Sequence, residues 1–396
     1  MNEEIPDDFS SDEHLTDSLR WMHPLCGAPV ANWIRSLVRS AGVPARSWPR
    51  AALITFWTLL LSPARAANRP RYLAISEPEP LDRPPLFVLG HWMSGTRRLA
   101  ELLTAHDELA APTGWQVFNP VSFDRIGWTR PMLGRLVPTL HPDGAPGVRT
   151  DGKPEDDEAA IAALTAHSYL HCVYFPQYGT ERFRDSVLMD GLGEADRALW
   201  QDAYVAFLRA LERHNGDRRL VLANPAHTGR LSTLLELFPR ARFLCVHRNP
   251  FDLFPAMRRY RRWLHRRYAL QPMRSFELDE QILSQYRLLM HRYFATRSRI
   301  PSERLLEIRI EDFESDPRGA LRWIGAELDL PALDGSEPAR PRRAGTRSGD
   351  RALGEAVLAD EVDSNIEPAE HPHRTVEKEW AFALEELGYE RPLEEG

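Results

Sequence analysis

Cysteine is scarce: 396 residues hold Cys26, Cys172 and Cys245, an odd and widely scattered set. That excludes a disulfide framework and a Cys-x-x-Cys metal site, and it suits a reducing, cytoplasmic setting. Long apolar runs are lacking as well. The longest, Ala51–Leu61, lies between Arg50 and Pro63 and is shorter than the roughly 20 residues that span a bilayer. It reads as a helix that either packs in the core or touches a membrane surface or partner. Trp48, Phe56 and Trp57 are the expected packing anchors of this region. An excess of positive charge is also missing, since 50 Lys and Arg face 57 Asp and Glu for a formal net charge of −7. General nucleic-acid binding is therefore not expected, although a local basic patch remains open. Met1 to His14 are polar, largely acidic and without an apolar h-region, so no secretory signal is expected there.

Hydrophobic residues make up 43% of the chain, enough for one large domain or two modest ones. Up to Pro80 the sequence reads as an acidic leader followed by helices. From Leu81 short apolar runs alternate with helical patterns, the texture of a parallel sheet with crossover helices. Leu86–Leu89 is a buried-strand candidate ending at Gly90, and Leu99, Leu102 and Leu103 follow at helical spacing. A second unit runs from the strand Leu220–Ala223 through Asn224-Pro225 to helical Leu231, Leu234, Leu235 and Phe238. It closes on the strand Phe243–Val246, a βαβ pattern. Leu306, Ile308 and Ile310 alternate as a later strand, and a helix with Leu321 and Ile324 follows Pro317. Residues 331–350 read as loop, and the chain ends in an amphipathic helix with Trp380, Ala383, Leu384 and Leu387 on one side.

The most informative stretch is LFVLGHWMSGTRRLAELL, from Leu86 to Leu103. A strand enters a turn containing Gly90 and Gly95, and a helix leaves it. Backbone N–H groups of such a loop, together with the positive end of the helix, hold phosphate well. The spacing approaches that of a Walker loop. Thr96, however, stands where the phosphate-binding lysine would be, and Arg97 where the magnesium-binding hydroxyl would be. Metal-dependent nucleotide hydrolysis is therefore not expected, and phosphate binding without a metal fits better.

This loop resembles the 5′-phosphosulfate loop of bacterial sulfotransferases, written close to GHxRSGTTxL. Leu222–Thr228 and the following LLELFPRARFLCVHRNPFDLFPAM resemble the family's next strand and its 3′-phosphate segment. Pro154-Glu155-Asp156-Asp157-Glu158 resembles its P-x-E-D-E stretch, Ile308–Asp312 with Asp316-Pro317 its late strand and helix, and HRTVEKEWAFALEELGY its C-terminal end. The resemblance implies a P-loop-like parallel β-sheet flanked by helices over residues 81–396, with residues 1–80 as leader and helical extension packed on it. It implies sulfuryl transfer from 3′-phosphoadenosine-5′-phosphosulfate (PAPS), without metal, to a hydroxyl or amine of a small-molecule or lipid-like acceptor.

Carried over by position, Gly90, Ser94, Gly95 and Thr96 would serve the 5′-phosphate, and Arg248 would grip the 3′-phosphate through its planar guanidinium. Arg374, with His373, resembles a basic segment near the nucleotide. His371 and His373 are also spaced as metal ligands, without a second cluster to support that. Four positions depart from the pattern: Met93 and Ala223 replace cations, Arg97 replaces a threonine, and Ala256 replaces a serine. Arg97 or Arg98, one turn along, is the expected substitute cation.

Three residues compete as catalytic base. Glu158 matches the last carboxylate of the acidic cluster, Asp156 keeps charge at a neighbouring position, and His227 follows a strand end. Against the carboxylates stands a plainer reading, a solvated helix start. Arg258, Arg259, Arg261, Arg262, Arg266 and Arg267, interleaved with Tyr260, Trp263 and Tyr268, read either as a basic, aromatic border to the acceptor or as a solvated helix face with aromatics turned inward. Besides the enzyme, a catalytically silent member of the fold and an enzyme with another donor remain open.

Overall fold

The computed structural model describes residues 22–67, 81–134, 137, 138, 140, 152–273, 275–331, 333 and 372–390. The acidic leader, residues 334–350 of the expected loop, His371 and the His373 side chain lie outside the described residues.

Among the described residues five parallel strands form the sheet: β1 (Leu86–Gly90), β2 (Leu109–Ala110), β3 (Arg219–Ala223), β4 (Arg242–His247) and β5 (Leu305–Arg309). Their order is β2-β3-β1-β4-β5. Every residue of β1 is buried, as a central parallel strand with both faces covered requires. Leu86 pairs with Val221 on one side and Arg242 on the other, and Val88 with Ala223 and Leu244. Alternation along β1 sends Phe87 and Leu89 into one core and Leu86 and Val88 into a second.

The expected strand–helix–strand unit is present, but β3 and β4 are not neighbours, because β1 lies between them. The C-terminal ends of β3 and β4 therefore flank the end of β1. That is where open α/β sheets bind their ligands. Strand β2 has two residues, too short for alternation to announce it.

Layers of helix cover the sheet. They include Thr96–Leu103, Glu194–Asn215, Leu231–Leu237, Pro250–Tyr268, Ser275–Thr296 and Pro317–Glu327. Pro250 opens its helix with Asn249 as side-chain cap on the Phe251 N–H, a placement suited to proline's missing donor. The C-terminal helix Pro372–Leu387 is interrupted at Trp380, whose ring stacks 3.9 Å from that of Tyr286.

Before the sheet come the helices Val30–Arg39 and Trp48–Leu60. They are pinned by hydrogen bonds to backbone carbonyls. The Asn32 amide donates to the carbonyls of Ala162, Ala163 and Thr165, and Arg50 donates to that of Ala269 at 2.9 Å. One expectation is corrected here. Trp48 and Phe56 are not packing anchors, being 64% and 56% exposed, whereas Ile54 and Thr58 are fully buried.

Candidate active site

Residues 91–95 form the loop between β1 and the helix Thr96–Leu103. Its backbone explains the glycines. Gly90 has φ +152°, and a Cβ there would lie 2.4 Å from the Val246 carbonyl oxygen. Gly95 has φ +96°, with Ile310 Cδ1 2.5 Å from the place of a Cβ. Both positions therefore demand glycine. Thr228 locks the end of β1: its hydroxyl accepts from Gly90 N at 2.8 Å and donates to Gly90 O at 2.7 Å. Gly95 is the N-cap of the following helix, and no side chain caps its first turn. Those first N–H groups point out of the helix end, where an anion is favoured.

Inside the loop the Ser94 hydroxyl is buried and donates to His91 O at 2.8 Å. It shapes the loop and does not project toward a ligand. Thr96 is buried beside it. The expectation that Arg97 reaches back over the loop is not met, because its guanidinium pairs with Glu101 one turn along at 3.3 Å. Arg98 is exposed. Met93 holds a left-handed φ of 69°.

Arg248, just past β4, does come to the loop, donating from Nη1 to Met93 O at 3.3 Å. The same strand end is anchored by Tyr389, whose hydroxyl lies 2.9 Å from His247 Nδ1 and donates to Glu311 at 3.0 Å. The C-terminal segment is thus tied to the edge of the crevice. Arg374 stands exposed near the start of the same helix, and no contact brings it to Arg248.

The acidic cluster is not a solvated helix start. Glu155, Asp156, Asp157 and Glu158 are 6%, 6%, 0% and 2% exposed. Glu158 meets Arg230 in a bidentate ion pair, Nη1 to Oε2 at 2.6 Å and Nη2 to Oε1 at 2.9 Å. It also accepts from Ser168 Oγ, Tyr169 N and Asn224 Nδ2. Burial pushes the Glu158 carboxyl up, but the Arg230 charge and these hydrogen bonds outweigh it and hold it down at about 2. A carboxylate so occupied is a poor proton acceptor, and Glu158 is corrected from base candidate to anchor.

Asp157 completes the network. Its Oδ2 accepts from the Tyr204 hydroxyl at 2.6 Å and lies 3.0 Å from His227 Nε2, while Oδ1 accepts from Asn224 Nδ2 at 2.6 Å. Burial works upward here too, yet His227 and the hydrogen bonds bring Asp157 below the usual carboxylate range. His227 is fully buried between Asp157 and Tyr204, an interior role. Asp156 lies close enough to Tyr260 that, after burial, its charge raises the phenol's pKa.

The arginine-rich stretch is one packed helix, Pro250–Tyr268, with Tyr260, Trp263 and Tyr268 buried and Arg259 and Arg266 exposed. Arg261 departs from both sequence readings. It is fully buried, and its hydrogen bonds go to neutral groups: Tyr169 OH at 2.8 Å, Gln285 at 2.9 Å and Gln281 at 3.2 Å. Tyr169 in turn stacks 3.8 Å from Trp92 of the loop after β1. Burial first, and the Arg261 charge after it, hold His91 down at about 4. Ala223 ends β3 as a buried apolar residue, and Ala256 is buried in the helix behind Arg248.

Sequence reasoning gave no role to Asn224, Thr228, Arg230 and Tyr204, and it did not foresee the burial of Arg261. A usable signal existed for the first two, since polar residues directly after a buried strand sit at the crevice. Arg230, Tyr204 and Arg261 carry no local mark of burial. Among the described residues, no group of three or more His, Cys, Asp or Glu is arranged to hold a metal. No described helix is long and apolar enough to cross a membrane.

A glycine loop at the end of the central strand, flanked by Arg248, sits in an α/β protein whose parallel sheet is flanked by helices. Residues 84–334 match the model of the sulfotransferase family, and the chain belongs to that family. It is similar to the omega-hydroxy-beta-dihydromenaquinone-9 sulfotransferase Stf3 of Mycobacterium bovis and of Mycobacterium tuberculosis. Each is 25% identical over 386 residues, covering 96% of this chain and 95% of the relative. In fold it is similar to sulfotransferase STF9 from Mycobacterium avium, with TM-score 0.57 and 17% identity over 92% of this chain and 97% of that one. Sulfotransferase STF1 from Mycobacterium tuberculosis gives 0.56 and 17% over 89% and 98%. At family level the chemistry is sulfuryl transfer.

Proposed function

We propose that the chain moves a sulfuryl group from PAPS to a hydroxyl, or an amine, of a small-molecule or lipid-like acceptor, without a metal. The observation that carries this reading is Arg248, whose guanidinium leaves the end of β4 and reaches Met93 O of the phosphate loop. The uncapped helix start at Gly95 supports it from the other side. The amides of Gly95 and Thr96 would hold the 5′-phosphate, Ser94, whose amide donates to His91 O at 3.1 Å, would shape the loop around it, Gly90 would keep the loop close to the sheet, and Arg248 would take the 3′-phosphate. Arg374 would lie along the nucleotide. PAPS supplies the activated sulfuryl group on its 5′-phosphate.

With Met93 and Ala223 apolar, positive potential at the loop falls to Arg248 and, from behind Trp92, to the buried Arg261. Asp156 is the base candidate left after Glu158 and His227 are engaged inside the network. The acceptor class draws support from the mycobacterial relatives, which are named as sulfotransferases of an omega-hydroxy-dihydromenaquinone.

One observation favours a second reading, binding without turnover: Arg97, the nearest substitute cation, is engaged with Glu101. Incubating the protein with PAPS, a chelator and a panel of hydroxylated lipids and phenols separates the two. Acceptor-dependent release of 3′,5′-phosphoadenosine supports the enzyme. Nucleotide binding with no release across the panel supports the silent fold.

A further inference from the structure

We infer that the outward face of the two N-terminal helices docks the protein on an anionic lipid bilayer. This goes beyond the donor chemistry and does not depend on it. The helix Trp48–Leu60 is inverted for a water-facing helix. Thr58 is fully buried, and the Thr55 hydroxyl oxygen accepts from the Trp33 indole N–H at 2.9 Å. On the outside, Trp48, Phe56, Leu59 and Leu60 are 64%, 56%, 54% and 53% exposed. With exposed Ala52 between them, they fall at helical spacing along one stripe. The helix Val30–Arg39 buries Asn32 and Ser36 beside Trp33, while Ile34 and Val38 are 53% and 74% exposed. A helix on an aqueous surface places these residue types the other way round. Hydrogen bonds from Asn32 to three carbonyls fix this orientation.

A third segment adjoins the helix Trp48–Leu60. Trp57 and Leu61 line an apolar cavity together with Ile126, Leu133 and Val137. Beside Ile126 and Leu133, Trp128 and Met132 are 78% and 76% exposed. Exposed large apolar side chains thus neighbour in sequence the residues that line this cavity, more than scattered surface residues account for.

Charge identifies the partner. Between Asp17 and Glu77 the sequence has no acidic residue, in a chain of net charge −7. Arg65 and Arg50 turn inward to backbone carbonyls. Arg35, Arg39 and Arg46 are exposed beside the apolar stripe, although Arg39 also contacts Asp185 at 3.3 Å. Apolar residues flanked by arginine and tryptophan match the headgroup region of an anionic leaflet. A second copy of the chain would set arginine against arginine, which disfavours self-association through this face.

Flotation of the full chain with vesicles tests this. Vesicles of phosphatidylcholine with phosphatidylglycerol should carry the protein, and phosphatidylcholine alone should carry far less. Phe56→Ser with Leu60→Ser should weaken partitioning by about tenfold or more, since each removes an inserted apolar group. Arg35→Glu with Arg46→Glu should weaken it similarly, and added salt should mimic that loss. All these positions are exposed, and an unchanged unfolding midpoint verifies that each variant folds. No flotation with anionic vesicles overturns the proposal, as does unchanged partitioning of the Phe56/Leu60 variant. A lipid-free dimer that this variant converts to monomer assigns the face to a second copy, and also overturns it.

Discussion

Arg230 and Glu158 form a bidentate ion pair with both side chains almost entirely removed from water, 0% and 3% exposed. The pair ties the helix following β3 to the acidic segment 155–158. Asn224, at the end of β3, binds Glu158 and Asp157 with one amide nitrogen. The crevice is therefore backed by a charged interior, not an apolar one. Such a network is stable when complete and costly when one member is lost.

Arg230→Ala leaves a buried carboxylate without its counter-charge. Its expected cost is about 3–5 kcal/mol of unfolding free energy, read by denaturant titration. Removing both partners, as Arg230→Met with Glu158→Leu, should cost less than Arg230→Ala alone. A loss below about 1 kcal/mol in Arg230→Ala, the range of surface ion pairs, would contradict the buried pair.

Acid should unfold the protein in a defined window. Burial holds His23 and His171 at about 3 and His91 and His167 at about 4, against an ordinary 6.5. Unfolded, these groups bind protons as pH falls below about 6.5, whereas folded they do so only near 3–4. Stability is thus fully present above that upper limit and declines as pH falls toward the folded values. Glu158, held at about 2 against an ordinary 4.5, adds a further loss as pH falls below 4.5. Unfolding midpoints measured from pH 7 to 4 should fall throughout, and flat midpoints would contradict the buried neutral histidines.

The two loop glycines should differ in rescue. Gly90→Ala sets a Cβ against the Val246 backbone, which no side-chain change relieves. Gly95→Ala sets it against the end of Ile310, so Ile310→Ala should restore part of the loss. The cost of the left-handed backbone, about 1–2 kcal/mol, should remain. Thermal melts and nucleotide binding read both effects.

Restoring a cation at position 93 should raise turnover. Met93→Lys keeps the left-handed backbone strain that Met93 already bears and adds charge beside the loop. The expected gain is about tenfold or more, within the range of a single transition-state donor. Unchanged turnover would contradict the view that missing charge at position 93 limits the reaction.

Local features made the sheet and loop legible from sequence. Leu86–Leu89 is continuously apolar because β1 is covered on both faces, and Gly90 and Gly95 answer backbone demands made within a few residues. The placement of Arg248 between a strand and a Pro-initiated helix was readable as well. The polar interior was not, because its partners lie far apart in sequence: Asp157 and His227 meet across 70 residues. Four consecutive acids look solvated until Arg230, Asn224 and Tyr204 are brought to them by the sheet. Helix Trp48–Leu60 misled in the opposite sense, because an apolar run does not tell which of its faces is covered. Arg97 illustrates the same limit: its position one turn from the loop was readable, and its engagement by Glu101 was not.

Calorimetric titration with 3′,5′-phosphoadenosine in chelator, for the unaltered protein and Arg248→Ala, tests the proposed donor site most directly. The account predicts selective, metal-independent binding, weakened by Arg248→Ala by about ten- to a hundredfold, as loss of a charge-assisted contact implies. Equal affinity in the two proteins, or no binding to the unaltered one, would contradict it.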